Sequence, residues 1–248
     1  MGRARKIHVQ QALPLADPKT WGGKRKGAGR PPKGKRSSER HKKRPRLLGS
    51  QPVHVICRIA RDVGSLRKRY MLAALRWATI AVAKHEDFRI VHFSIQGTHL
   101  HLIVEAANRT ALSNGMKAFL ISAAKQINAA IFERTGTRRK GQVFTDRFHM
   151  RILKTTREVR NAIAYVLNNW RRHEEDRANH ATLWKVDPYS NAWQFSGWKE
   201  REGEWLAYRT PPTYQSLVTW FPKTWLLSTG WRRHGLISIH EIPGPAKS

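Results

Sequence analysis

From Gly97 to Glu105 the chain reads Gly-Thr-His-Leu-His-Leu-Ile-Val-Glu, an alternation that fits a β-strand better than a helix. Successive side chains of a strand leave on opposite faces. Leu100, Leu102 and Val104 therefore demand an apolar layer on one side of a sheet, while His99 and His101 project together from the other. Two imidazoles held side by side on a rigid strand can grip a divalent metal ion. Taken alone, the pair reads more readily as two partly exposed strand histidines.

The neighbouring stretches supply the rest of a sheet. Val53–Ala60 is expected to be a first strand. Ser65 then caps a helix running to about Lys84, with Leu66, Tyr70, Ala73, Trp77 and Ile80 at helical spacing. Phe88–Gln96 reads as a strand alternating through Ile90, Phe93 and Ile95, and Gly97-Thr98 turns it into the histidine strand as a hairpin. A second helix is predicted over 113–134, striped by Met116, Leu120, Ala123, Ile127 and Ile131. After a basic loop (Arg138, Arg139, Lys140), Val143–Leu153 makes a fourth strand. This order, βαββαβ, is an α+β arrangement of ferredoxin-like type: an antiparallel sheet with two helices on one face and the other face left for a ligand or an added element.

A third helix follows, from Thr155 to about His173. Thr155 and Glu158 have the spacing of a capping box, and Val159, Ile163, Val166 and Trp170 form its apolar stripe. Tyr165 and Asn169, four residues apart, sit one above the other on a flank of that stripe, with Glu158 and Arg172.

Charge extends the reading to a partner. The formal net charge is +30, with 47 Lys and Arg against 17 Asp and Glu. Residues 1–50 hold 16 basic and 2 acidic residues, and residues 51–179 hold 23 and 10. Tail and central domain alike are thus built to meet a polyanion, nucleic acid first among the candidates. Residues 1–50 show no apolar period and are expected to be a disordered basic arm. Within it the segment from Lys24 to Lys35, centred on Gly29-Arg30-Pro31, resembles an AT-hook, a motif that lays Arg into the narrow minor groove of A·T-rich DNA. A generic basic tail is the equal alternative. Residues 180–248 hold seven of the ten tryptophans and are expected to form a small aromatic-rich extension packed on the core domain of 51–179. One cysteine, Cys57, rules out an internal disulfide and a cysteine-based zinc cluster. Without a long apolar run or a signal-peptide core, the protein is expected to be cytoplasmic and nucleoid-associated, with no membrane partner.

Three stretches in this order resemble one family. They are Gln96–Val104 with its two histidines, Gly141–His149, and Glu158–Asn169 with its tyrosine. Together they are similar to the single-tyrosine HUH transposases, in particular the REP-associated tyrosine transposases related to the IS200/IS605 group, over about residues 52–175. The resemblance implies a metal site for Mg²⁺ or Mn²⁺ at His99 and His101, completed by a polar residue one turn after the tyrosine. That residue is Asn169, with Asn168 as its rival. It also implies Tyr165 as the nucleophile that attacks DNA, leaving a 5′-phosphotyrosine and a free 3′-hydroxyl. Its implied substrate is single-stranded or hairpin DNA of palindromic repeats, and its relatives act as monomers or as homodimers.

The chemistry agrees. A tyrosine hydroxyl is a poor nucleophile at neutral pH until its target is activated, and a metal held by two imidazoles and an amide oxygen can polarise a phosphate. Arg138, Arg139, Lys140, Arg147 and Arg172 are the expected phosphate contacts, with Arg30 in the arm. His54, His92 and His149 are read as structural. Two alternatives stay open: a non-catalytic nucleic-acid-binding protein on the same scaffold, and a metal nuclease in which Tyr165 is incidental.

Overall fold

Four strands pair in the order β2-β3-β1-β4, all antiparallel. They are β1 (Val53–Arg58), β2 (Phe88–Ile95), β3 (His99–Ala106) and β4 (His149–Ile152). Three helices accompany them: α1 (Arg69–Ala81), α2 (Arg109–Thr135) and α3 (Thr156–Arg172). The computed structural model describes residues 45–177, 184–200 and 214–244. The arm, its AT-hook-like segment and Arg30 lie outside the described residues, apart from positions 45–50. The fold is the expected α+β, ferredoxin-like one.

The alternation in β3 does what its period requires. Leu100, Leu102 and Val104 are fully buried and join Val53, Val55, Phe88, Ile90, Phe93 and Ile95 in a core beneath α1 and α2. Asn108 caps α2, its side chain accepting from the amides of Thr110 and Ala111. Gly115 brings α2 down onto the sheet: a Cβ there would lie 2.1 Å from the Phe88 ring.

Several expectations are corrected. Helix α1 starts at Arg69 with no side-chain cap. Ser65 Oγ accepts from the amide of Arg67, and the Arg67 guanidinium is buried against the Asp187 carboxylate at 2.9 and 3.0 Å. That anchor holds the preceding backbone extended, so the helix cannot begin earlier. The buried face of α1 runs through Met71, Leu72, Ala74, Leu75 and Ala78, leaving Ala73 exposed and Trp77 56% exposed. The small residues Ala74 and Ala78 let α2 approach, and they outweigh the larger indole one position away. In β2 the pairing register shifts between Ile90 and His92; this bulge at Val91 puts both Ile90 and Phe93 in the core despite their odd spacing. Strand β4 is shorter than the expected 143–153. Phe144 bridges Ile59 and His149 pairs with Ile56, so two extra residues bulge out between those points.

The second sheet face is covered by α3 and the C-terminal segments. Val91, Ile103 and Leu153 pack against Val159, Ile163 and Val166 of α3, and against Trp198, Trp231, Ile237 and Ile239. The capping box is present, with Thr155 accepting from the Glu158 amide and Glu158 accepting from the Thr155 amide. Residues 184–200 close the outer edge of β2. The amide of Ile95 donates to the Tyr189 carbonyl, and that of Asn191 donates to the Phe93 carbonyl. An otherwise bare strand edge is thereby paired. Residues 44–248 form one compact unit.

Candidate active site

Strand pairing aligns the side chains that face α3. His101 lies opposite Ile56 and His99 opposite Arg58 on β1, and His54 lies opposite Arg151 on β4. Opposed residues share a face, so His54, Arg58, His99, His101, His149 and Arg151 belong to one surface. Above it, the row Tyr165, Asn169 and His173 runs along α3 one turn at a time. The Tyr165 ring stands edge-on to His101 at 5.1 Å between centroids, and the His173 ring approaches His99 at 6.0 Å. Asn169 lies between those two positions along the helix.

The Nε2 atoms of His99 and His101 face each other at 2.9 Å. On the far side of His101, its Nδ1 is 3.2 Å from His54 Nε2, and the two rings stack at 5.3 Å. His54 also meets the Tyr165 ring, edge-on at 5.8 Å. Burial is deepest at the amide end, where Asn169 is 0% and His101 1% exposed. Desolvation lowers the histidine pKa values, to about 4 for His54 and His99 and about 2 for His101, with neighbouring charges adding to the shift. At neutral pH all three rings are uncharged, the form in which imidazole binds metal.

Both polar atoms of the Asn169 carboxamide are buried with no hydrogen-bond partner. An orphaned buried amide is costly, and a ligand supplied from outside would relieve it. Among the described residues no group of three or more His, Cys, Asp or Glu is arranged to hold a metal. A site here consists of two imidazoles and an amide oxygen, and the donor set fits a divalent ion. Asn168 donates its amide to the Ser238 carbonyl at 2.9 Å, while its Oδ1 is likewise buried without a partner.

A cavity of about 590 Å³ opens beside Tyr165, lined by His54, Arg151, Glu158 and Asn161 and by residues 241–244. Arg151 is held there by Glu158 at 2.9 Å, its side chain 70% exposed. The expected phosphate contacts divide. Arg138 is exposed, its guanidinium over the Phe132 ring at 5.5 Å, and Lys140 and Arg147 are exposed too. Arg139 is committed within the protein, to Asp62 and to the carbonyls of Gly141 and Gln142. Arg172 donates to the Pro243 carbonyl at 2.8 Å. These two expected phosphate contacts are tied within the fold. His54, read as structural, lies inside the site. The signal was present in its parity: His54, Ile56 and Arg58 alternate with the buried Val53, Val55 and Cys57.

The family model described as IS200-like transposase matches residues 50–169. Over these residues, just under half of the chain, it matches the IS200-like transposases. The matched span contains both histidines, Tyr165 and Asn169. Among solved structures, the chain is similar to a REP-associated tyrosine transposase bound to a REP hairpin, with 16% identity over 74% of this chain and 99% of that one and a TM-score of 0.44. It is also similar to a bacterial tRNA(His) guanylyltransferase-like protein in complex with GTP, with 15% identity over 54% and 66% of the two chains and a TM-score of 0.35. No curated protein matches. No described helix of the transposase is long and apolar enough to cross a membrane.

Proposed function

We propose that this transposase cuts and rejoins single-stranded or hairpin DNA with Tyr165 as the nucleophile. His99, His101 and Asn169 would hold a divalent ion, Mg²⁺ or Mn²⁺. The observation that carries the reading is the placement of the Tyr165 ring edge-on to His101, one helical turn from an unpartnered buried amide. Tyr165 Oη attacks the scissile phosphorus and the bond to the 3′ oxygen breaks. The 5′ end stays on the protein as a phosphotyrosine. Because the phosphodiester is exchanged and not hydrolysed, attack by another 3′-hydroxyl reverses the step and rejoins a strand. When bound, the ion polarises the phosphate and stabilises charge on the leaving oxygen.

The chain's own residues prepare that arrangement. With His54 Nε2 accepting from His101 Nδ1–H, His101 is fixed in the tautomer whose Nε2 carries a free lone pair beside His99. His54 is thus a positioning residue. Arg151, steadied by Glu158, offers positive charge for the scissile phosphate in the cavity beside Tyr165. Arg138 and Lys140, both exposed, face solvent where phosphates further along the strand would pass.

The test is incubation with a hairpin oligonucleotide bearing single-stranded flanks and Mg²⁺, followed by denaturing electrophoresis. The wild type should yield a covalent protein–DNA species, and Tyr165→Phe should bind the hairpin without forming it. An adduct that persists in the Phe variant would overturn the assignment.

A further inference from the structure

On the α3-facing side of the sheet the C-terminal segments surround a cavity of about 510 Å³ near β2, within the usual range for ligand sites. Phe195 and Trp231 line it with ring centroids 5.5 Å apart. Trp220 and Phe221 line it too, yet they are 47% and 89% exposed. The backbone that presents them is fixed on both sides. The amide of Trp220 donates to the Ile90 carbonyl at 2.8 Å. The amides of Lys223 and Thr224 donate to the carboxylate of Glu105, itself 4% exposed. A buried carboxylate thus holds rigid a loop whose tip offers aromatic rings to water, an arrangement the fold does not need for its core.

The surrounding charge selects the occupant. Residues 214–240 contain no Asp or Glu. Arg232 itself lines the cavity, its guanidinium over the buried Trp231 at 5.0 Å, and the neighbouring Arg233 lies over Trp225 at 4.9 Å, so cationic groups stand at the rim and beside it. Exposed aromatics interleaved with arginines match unpaired bases on a phosphate backbone.

We infer that this aromatic cavity is a second nucleic-acid site, which stacks unpaired bases of a single-stranded segment on Trp220 and Phe221 and pairs its phosphates with Arg232 and Arg233. It rests on the reading of the chain as a DNA-strand transferase only for the choice of polymer. The covalent adduct at Tyr165 reports that reading separately.

The experiment is fluorescence anisotropy of the full chain with labelled dT12, rU12 and a 12-base-pair duplex. Trp220→Ala/Phe221→Ala should weaken dT12 binding by about tenfold for each ring removed and leave the duplex unchanged. Arg232→Ala/Arg233→Ala should weaken dT12 binding as well, with a shallower salt dependence. Trp220→Phe should retain wild-type affinity, because a ring is kept. Loss confined to dT12 or to rU12 identifies the polymer and supports the site. With folding verified by circular dichroism, unchanged dT12 and rU12 affinity in the aromatic double variant would overturn the proposal. So would an equal loss on the duplex, which would leave only charge.

Discussion

The two faces of the sheet are made from the same strands and have opposite contents. Beneath α1 and α2 the strands contribute Val53, Val55, Phe88, Phe93, Leu100 and Leu102, with no polar side chain among them. Toward α3 they contribute His92, Ser94, Gln96, His101 and Glu105, all buried. One face holds the fold together through non-directional burial. The other spends burial on polar groups that need specific partners, and at Asn169 both polar atoms are left without one. Removing a side chain should therefore have different consequences on the two faces.

The largest expected effect is on the polar face. Tyr165→Phe should reduce adduct formation by more than about 10³-fold while moving the thermal midpoint little, since a half-buried ring is retained. On the apolar face, Leu102→Ala should leave a cavity and cost about 2–5 kcal/mol of stability, read from urea unfolding; an equally stable variant would contradict the division between the faces.

A third effect uses pH. His92, buried on the polar side against Phe195, is lowered from 6.5 to about 4 by desolvation. Its folded value lies below its unfolded one, so the stability it contributes is intact above about pH 6.5 and is lost as pH falls toward 4. The loss is about 3 kcal/mol for this group. Urea midpoints at pH 7 and pH 4.5 should fall further apart in the wild type than in His92→Gln, where this group no longer titrates. Parallel behaviour of the two proteins would show that other groups carry the dependence.

Second in line from the chemistry, His54→Ala should weaken Mn²⁺ binding by about 10–100-fold, measured by calorimetry without any DNA. Undiminished affinity would mean that His54 does not orient His101. The smallest effect is at the start of α3. Thr155→Ala removes one half of the capping box and should cost about 1 kcal/mol, with cleavage position unchanged.

What could be read ahead of the structure follows the range of the forces involved. The parity of His99 and His101, the hairpin turn at Gly97-Thr98 and the Thr155–Glu158 box are local patterns, and each stands where its spacing put it. The flank shared by Tyr165 and Asn169 is local as well. The start of α1 was not legible, because it is set by Arg67 reaching a carboxylate 120 positions later. The buried stripe of α1 was misjudged by one position, since the facing helix selects small residues that hydropathy ranks below Trp77. The structural reading of His54 fails for a related reason: its place depends on which strand lies beside it, and pairing between β1 and β3 is a property of the whole sheet.

The Arg67–Asp187 pair also orders events during synthesis. The four strands and helices α1 to α3 all precede residue 173, so they are synthesised before Asp187. At roughly 5–20 residues per second, the guanidinium waits on the order of ten seconds for its carboxylate, and the outer edge of β2 waits with it for residues 186–191. Before then the guanidinium has the Ile95 carbonyl and Glu175, 3.4 Å from its Nε, as partners, and burying it without the bidentate carboxylate is unfavourable. The nascent sheet thus stays ajar on that side until the tryptophan-rich segment arrives. Truncation before residue 187 would make that interval permanent, and the recovered fragment should aggregate through the open edge.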